Sequence, residues 1–434
     1  MNESPIVIRG IESDAELDAF ARLSRSIFTA HMPIEIAAPR WRQYVTRAPD
    51  YFPGMVRGAF RGNQFLGGYI LYRRTLRIGP ARIPFGGVGT VHTAPEFRGQ
   101  GIARAMMHDI IALATERREA LLLLDGVPDL YHRYGYVNVL DFSGAVFDRA
   151  AALAITSRNT EHPANRYTIR PADRSDAAAL LAMYERYSGP VPGSFARTLE
   201  HQAHWLDNCW TVKPPWLAVD DYGNVHGFLT ISYRHAHRAF EVGADNPAAL
   251  LALAGHHARM LDAQSIDETE LRWQMSPSST ASTWLADHLP VRIETSARPR
   301  SGWMARLVDT DVLVEALLPV WRERWHAAHG GFSGHDTGSV AHAPDLTIDL
   351  TIDTRRYALR LADDTRIGPW DDSIADPAVQ LKLTGGTLMQ LVCGYRSATW
   401  AADQPGNAIP ATALPLLSML FPTGGFWIPE SDWF

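Results

Sequence analysis

Arg98-Gly99-Gln100-Gly101-Ile102-Ala103 follows a short β-rich run, Val88-Gly89-Thr90-Val91-His92-Thr93, and opens a helical one. Ala94-Pro95-Glu96-Phe97 breaks the strand between them. From Gly101 the apolar residues fall at Ile102, Met106, Met107, Ile110, Ile111 and Ala114, which is helical spacing with one buried face. The stretch therefore lies at a helix N-terminus. The first turn of a helix leaves backbone N–H groups unpaired, and these donors together with the dipole favour an anion. Gly99 and Gly101 leave the backbone open to close approach, and Arg98 adds a permanent positive charge with a fork of donors. A bare Arg-x-x-Gly reads better as an ordinary glycine-containing turn. The flanking strand and helix, and a second motif downstream, favour the anion cradle.

That second motif is Tyr131-His132-Arg133-Tyr134-Gly135-Tyr136. Leu121-Leu122-Leu123-Leu124 reads as a fully buried parallel strand, and Asp125-Gly126-Val127-Pro128 turns the chain after it. Asp129 to Tyr134 suits a short helix with Gly135 as its C-terminal cap. Tyr131 by itself reads better as a core aromatic with a satisfied hydroxyl. Beside an anion cradle it becomes a candidate acid. A third signal closes the sequence at Ser431-Asp432-Trp433-Phe434, after the aromatic-rich run Phe421-Pro422 and Gly424-Gly425-Phe426-Trp427-Ile428-Pro429. So apolar an end is expected to dock rather than fray.

Other chemistries fit less well. Gly87-Val88-Gly89 fails the dinucleotide fingerprint, because His92 stands where its third glycine belongs. No Gly-Lys-Ser/Thr follows a glycine-rich loop, and no Gly-x-Ser-x-Gly elbow is present. His201/His204 and His235/His237 lack a metal-ligand context, so no metal is expected.

These residues resemble the GCN5-related N-acetyltransferase (GNAT) superfamily, and the whole chain is similar to its enhanced intracellular survival (Eis) family. The resemblance implies acetyl-CoA as cosubstrate. It places cofactor contacts on Val91, His92 and Thr93 of the strand and on Arg98, Gly99, Gln100, Gly101, Ile102, Ala103 and Arg104 of the loop and helix start. Gly126 and Val127, after the buried strand, are assigned to the same cofactor site. It makes Tyr131 the general acid and the Phe434 carboxylate the acceptor of the substrate's proton. It implies a small-molecule amine as substrate and a homo-oligomer, trimer or hexamer. This sequence departs from the family at Arg98-Gly99-Gln100, where an arginine-rich loop is usual, at His132, which replaces a glycine, and at Trp433.

The implied fold is α+β, a mixed α/β chain of tandem GNAT domains and a sterol-carrier-protein-like end. Expected boundaries are 1–156 for the catalytic domain, 157–299 for a degenerate second copy and 300–434 for the last domain. An internal repeat agrees. Val7-Ile8-Arg9 leads to a Ser13-Asp14 helix cap and an apolar helix, and Thr168-Ile169-Arg170 leads to a Ser175-Asp176 cap and another. Gly58–Arg61 with Gly67–Leu71, and Trp216–Val219 with Gly227–Ile231, read as hairpins. The second copy has no Arg-x-x-Gly-x-Ala loop. Ser157–Asn165 reads as a polar linker, and Arg298-Pro299-Arg300-Ser301 as a second boundary. Asp345–Asp353 alternates as a half-buried strand, Gln380–Leu383 is another, and Gly385-Gly386 starts a helix.

A chain of 434 residues has room for two or three domains. Its net charge of −6 argues against a general nucleic-acid binder. Neither a signal peptide nor a membrane-spanning run is visible, so no membrane is expected and the location is read as cytoplasmic. Cys209 and Cys393, far apart and outside any C-x-x-C, read as buried thiols. Three readings compete: an amine N-acetyltransferase, a tandem acetyltransferase of the mycothiol synthase type, and a silent relic that binds lipid or another small molecule. The C-terminal third argues against the second, and the intact loop with Tyr131 and Phe434 against the third.

Overall fold

The structure is a computed structural model, which describes residues 5–29, 32–157, 161–208, 214–232, 234–329, 344–371, 377–429 and 432. The strands in chain order are β1 (Ile6–Gly10), β2 (Val56–Arg61), β3 (Gln64–Ile78), β4 (Ala81–Thr93), β5 (Leu121–Gly126), β6 (Val137–Asn138) and β7 (Phe142–Asp148). There follow β8 (Thr168–Pro171), β9 (Trp216–Val219), β10 (Val225–Ile231), β11 (Arg238–Ala244), β12 (Glu270–Gln274), β13 (Val291–Ser296) and β14 (Gly302–Leu307). The last four are β15 (Leu346–Ile352), β16 (Arg355–Leu361), β17 (Arg366–Pro369) and β18 (Val379–Leu383).

They form three sheets, ordered β1-β2-β3-β4-β5-β14-β6, then β8-β9-β10-β11-β12-β7-β13, then β17-β16-β15-β18. The two seven-stranded sheets match position for position. Each holds one parallel pair, β4 with β5 and β11 with β12, among antiparallel neighbours. The internal repeat is thus a repeated sheet. The cuts at residues 156 and 299 follow the chain, whereas the sheets cross them. β7 lies before the first cut yet fills the sixth place of the second sheet. β14 lies after the second cut yet fills the sixth place of the first. Periodicity marks a segment as a strand but not its partner, so the exchange has no local signature.

Helices α1 (Asp14–Phe28) and α2 (Ile34–Thr46) cover one face of the first sheet, where Phe20, Ala38, Trp41 and Val45 bury against Met55, Ile70 and Tyr72. Ser13 caps α1 as expected, accepting from the Glu16 N–H. Helix α3 (Ile102–Glu116) covers the other face through Ile102, Met106, Met107 and Ile110. In the second repeat, α4 (Arg149–Ser157) leads on from β7, while α5 (Ala177–Tyr187), α6 (Leu199–Asn208), α7 (Pro247–Ala263) and α8 (Thr280–His288) dress the sheet. Here the sequence expectation of a Ser175-Asp176 cap needs correcting. Asp173 is the cap, in a capping box with Asp176, and the Asp176 side chain is drawn into a bidentate pair with Arg170.

The C-terminal part packs α9 (Thr310–His329), α10 (Gly385–Val392), α11 (Ala398–Ala402) and α12 (Leu414–Leu420) around the four-stranded sheet. Its core is continuous with the lower face of the first sheet: Phe85, Leu121, Leu123 and Trp303 share one apolar cluster with Trp321, Leu350, Leu388 and Leu417. Cys393 is buried and unbridged, and Cys209 lies outside the described residues. No helix among the described residues is long and apolar enough to cross a membrane.

Candidate active site

The site grows from the point where β4 and β5 part. They pair at Phe85–Leu121, Gly86–Leu122 and Gly87–Leu123, and the ladder stops there. On its other edge β4 stays paired with β3 as far as Thr93 opposite Gly67. Beyond Gly87, therefore, β4 offers its β5-facing edge to a cleft. A bulge marks the parting: the β3–β4 register shifts at Gly68/Ile70, and Thr90 has a φ of 56°, rare for a β-branched residue.

Val91, His92 and Thr93 lie on this freed stretch. The His92 ring is buried on the α1 side, edge-on to Phe20 at 4.7 Å and tilted to Phe65 at 6.1 Å. Its Nδ1–H donates to the Thr90 carbonyl at 2.7 Å, leaving Nε2 as the lone-pair nitrogen. Burial pushes its pKa down to about 4, so the ring is neutral. Its carbonyl lies against Gly67 of β3, so the backbone groups on the free edge come from its neighbours Val91 and Thr93.

The chain then turns through Pro95–Phe97 into Arg98-Gly99-Gln100-Gly101. Gly99 has φ 79° and Gly101 φ 82°, left-handed conformations that call for glycine. A Cβ on either would meet nothing within 4 Å, so the space above both is open. Arg98 is exposed, and Gln100 accepts from Arg61 at 2.8 Å. Gly101 is the N-cap of α3. No side chain caps that end, and no acidic residue stands in its first turn. The first intrahelical bond is Ala105 N–H to Gly101 C=O at 3.0 Å, which leaves the N–H groups of Ile102, Ala103 and Arg104 directed out of the helix end. Ile102 anchors the turn in the core, and Arg104 is exposed.

Across the cleft, β5 ends at Gly126 with Val127 exposed beyond it. A Cβ on Gly126 would stand 2.8 Å from the Tyr131 ring, so this glycine is what lets the phenol pack on the strand end. Tyr131 begins the 3-10 turn Tyr131–Tyr134, which Gly135 closes at φ 80° with its N–H on the His132 carbonyl, as the sequence predicts. The ring is buried, edge-on to Tyr136 at 5.8 Å. Burial first, and then the Asp125 charge, pushes the phenol up to about 12. Phe434 and Trp433 lie outside the described residues. Two residues earlier, Asp432 accepts from Tyr184 Oη at 3.0 Å and from Arg197 Nε at 2.8 Å, and Trp427 N–H bonds the Pro192 carbonyl at 2.7 Å. The segment ahead of the terminus is thus docked on the second repeat.

An uncapped helix start, two left-handed glycines under open space and a strand with one free edge make a place for a pyrophosphate and an extended amide-bearing chain. Residues 8–138 match the model of the acetyltransferase (GNAT) domain. The N-terminal domain of this chain is a GCN5-related N-acetyltransferase domain. No curated protein sequence matches the chain. Solved structures resemble it over 99% of its length and the whole of theirs. A probable N-acyltransferase from Enterococcus faecalis has TM-score 0.71 at 17% identity, and a GCN5-related N-acetyltransferase from Kribbella flavida 0.68 at 19%. Eis1 from Mycobacterium abscessus has 0.60 at 17%. At these identities the likeness is one of fold, and it extends to all three parts of the chain. Among the described residues no cluster of His, Cys, Asp or Glu could hold a metal.

Gly126, expected at the cofactor, also seats the Tyr131 ring. The sequence missed one contributor. β14, which closes the sheet beside β5, carries no motif at all.

Proposed function

We propose that this GNAT domain transfers an acetyl group from acetyl-CoA to a primary amine of the aminoglycoside, polyamine or lysine-like class by direct attack on the thioester. The observation that carries this reading is the uncapped N-terminus of α3 beside the freed edge of β4. In it, the N–H groups of Ile102, Ala103 and Arg104, with Arg98, Gly99, Gln100 and Gly101, hold the pyrophosphate. The Val91-His92-Thr93 stretch bonds the pantetheine arm through the backbone groups on its free edge, and the same edge polarises the thioester carbonyl.

Tyr131 gives its proton to the leaving thiolate. A phenol near 12 facing a solution thiol near ~8.5 is uphill by about 5 kcal/mol. The burial that raises the phenol also makes the departing thiolate more basic, and this narrows the gap. The Phe434 carboxylate takes the proton of the amine. A solution carboxylate near ~3.5 cannot deprotonate an ammonium near ~10, a gap of roughly 9 kcal/mol, so transfer follows attack, runs through water, or uses a carboxylate raised by burial. The C-terminal part is read as sterol-carrier-like and the assembly as a trimer or hexamer. Sedimentation giving only monomer at micromolar concentration would reject the assembly. Turnover of acetyl-CoA across an amine panel, followed by free thiol release, tests the activity. Binding of acetyl-CoA without thiol release on any amine would favour the alternative, a silent relic that binds a small molecule.

A further inference from the structure

The turn that carries Tyr131 hangs between β5 and β6, strands that do not pair with each other. β14 lies between them, Gly302 opposite Gly126 and Met304 opposite Asn138. β14 arrives from the far side of the second repeat through residues 298–301, and those residues grip the turn. Asp129 N–H bonds the Arg300 carbonyl at 3.0 Å, and the two side chains form an ion pair. Arg306 Nε donates to the Tyr134 carbonyl at 2.7 Å.

The hub is Asn138. Its amide donates to the Ser301 carbonyl and, at 3.3 Å, to the Arg298 carbonyl. Its oxygen takes the Arg300 N–H at 3.2 Å and faces His132 Nε2 at 3.3 Å. Both donors and both acceptor sites of the side chain are therefore used. Its own backbone carbonyl accepts from Gln390 of α10 at 3.1 Å. At the same contact Asp129 and Arg300 both adopt left-handed backbone, φ 63° and 62°, unusual for the arginine, and the Asp129 N–H to Arg300 carbonyl bond joins the two. None of these hydrogen bonds reaches the phenol or the start of α3. It joins the crossover to His132, the residue next to Tyr131.

We infer that Asn138 is a positioning residue for Tyr131: through it, residues 298–301 brace the turn so that the phenol stays seated on Gly126. The inference rests on Tyr131 being the acid. It predicts a loss in the chemical step with no loss in cofactor binding, because the α3 cradle shares none of these contacts.

The test uses the full chain with Asn138→Ala and the nearly isosteric Asn138→Asp, each alone and combined with Tyr131→Phe. Steady-state kinetics on acetyl-CoA and the best amine should show kcat down on the order of 10-fold. The KM for acetyl-CoA should stay within about twofold, and the alkaline limb of the kcat–pH profile should move. In the Tyr131→Phe background the further loss should be under about twofold, since the group being positioned is gone. A folded Asn138→Asp enzyme with wild-type kcat, or a loss that multiplies fully with Tyr131→Phe, overturns the brace and leaves the acid in place. Full turnover by Tyr131→Phe alone removes the acid, and the brace with it.

Discussion

The two seven-stranded repeats share an architecture and differ where a phosphate would sit. In the first, α3 starts at Gly101 with φ 82°, no capping side chain and no acid in its first turn. In the second, α7 starts at Asn246, whose side chain accepts from the Ala249 N–H. Pro247 follows and has no N–H to offer. Asp245 stands just ahead, holding His226 Nδ1 at 2.9 Å. One helix end leaves its donors and positive dipole unanswered, while the other answers both from within the chain. The parallel strands splay in each repeat, for β11 and β12 pair only at Arg238–Arg272 and Ala239–Trp273. Both repeats thus have a cleft between their parallel strands. What separates the repeats is whether the helix start has been satisfied locally.

The largest effect should come from satisfying the first helix as the second is satisfied. Gly101→Glu with Arg98→Ala puts a side chain on a left-handed residue and a carboxylate at the proposed pyrophosphate site. Acetyl-CoA binding, followed by calorimetry, should be lost. A folded double mutant that still binds in the micromolar range would dissolve the contrast between the helix starts.

Next in size is Tyr131→Phe. The hydroxyl is removed and the packing on Gly126 kept, so acetyl-CoA affinity should hold while kcat falls about 10²–10⁴-fold. Unchanged turnover would strip the phenol of its role and leave the cradle standing.

A third difference lies beneath the strands. Glu119, at the approach to β5, is fully buried with its carboxylate against Gly86, and neither oxygen has a hydrogen-bond partner. The approach to β12 carries Glu268 instead, half exposed beside His237 at 3.6 Å. Burial pushes Glu119 up to about 7, against the partial relief of Arg117 and Arg73. A carboxyl raised in the folded state is protonated there longer than in the unfolded chain. Its contribution is thus intact below about pH 4.5, erodes as pH rises, and is fully lost above about 7. Glu119→Gln should leave stability unchanged near pH 4 and raise it by about 3 kcal/mol near pH 8. Denaturant melts that give equal differences at both pH values would contradict this.

Much of the first repeat was legible because its signals are local. Helical spacing from Ile102, the glycines of the loop and the Tyr131–Gly135 turn each lie within a few residues, and each forms as read. The second hairpin, β15, β18 and the start of α10 were readable for the same reason. What was not legible is what the fold brings from afar. The exchange of β7 and β14 depends on pairings more than about 120 residues apart, for which alternation carries no address. The burial of the His92 ring against Phe20 is likewise a contact between residues far apart in the sequence. The lack of a glycine loop in the second repeat was plain from sequence. That Asn246 and Pro247 close the helix positively could also have been read, since Asn-Pro before an apolar helix is an N-cap signature.

The smallest prediction asks whether closing α7 is itself what excludes the cofactor. Asn246→Ala deletes the cap and frees the Ala249 N–H, which should cost the second repeat about 1 kcal/mol. It should not create a binding site, because Pro247 still lacks a donor, Asp245 still presents a carboxylate, and no left-handed glycines open the approach. Titration should therefore give one coenzyme A per chain in the wild type and in Asn246→Ala alike, with a lower thermal midpoint in the variant. Two sites in the wild type would make the second repeat a working cradle. A second site appearing only in Asn246→Ala would sharpen the comparison instead, by showing that one capping hydrogen bond separates a cofactor-binding helix from a structural one.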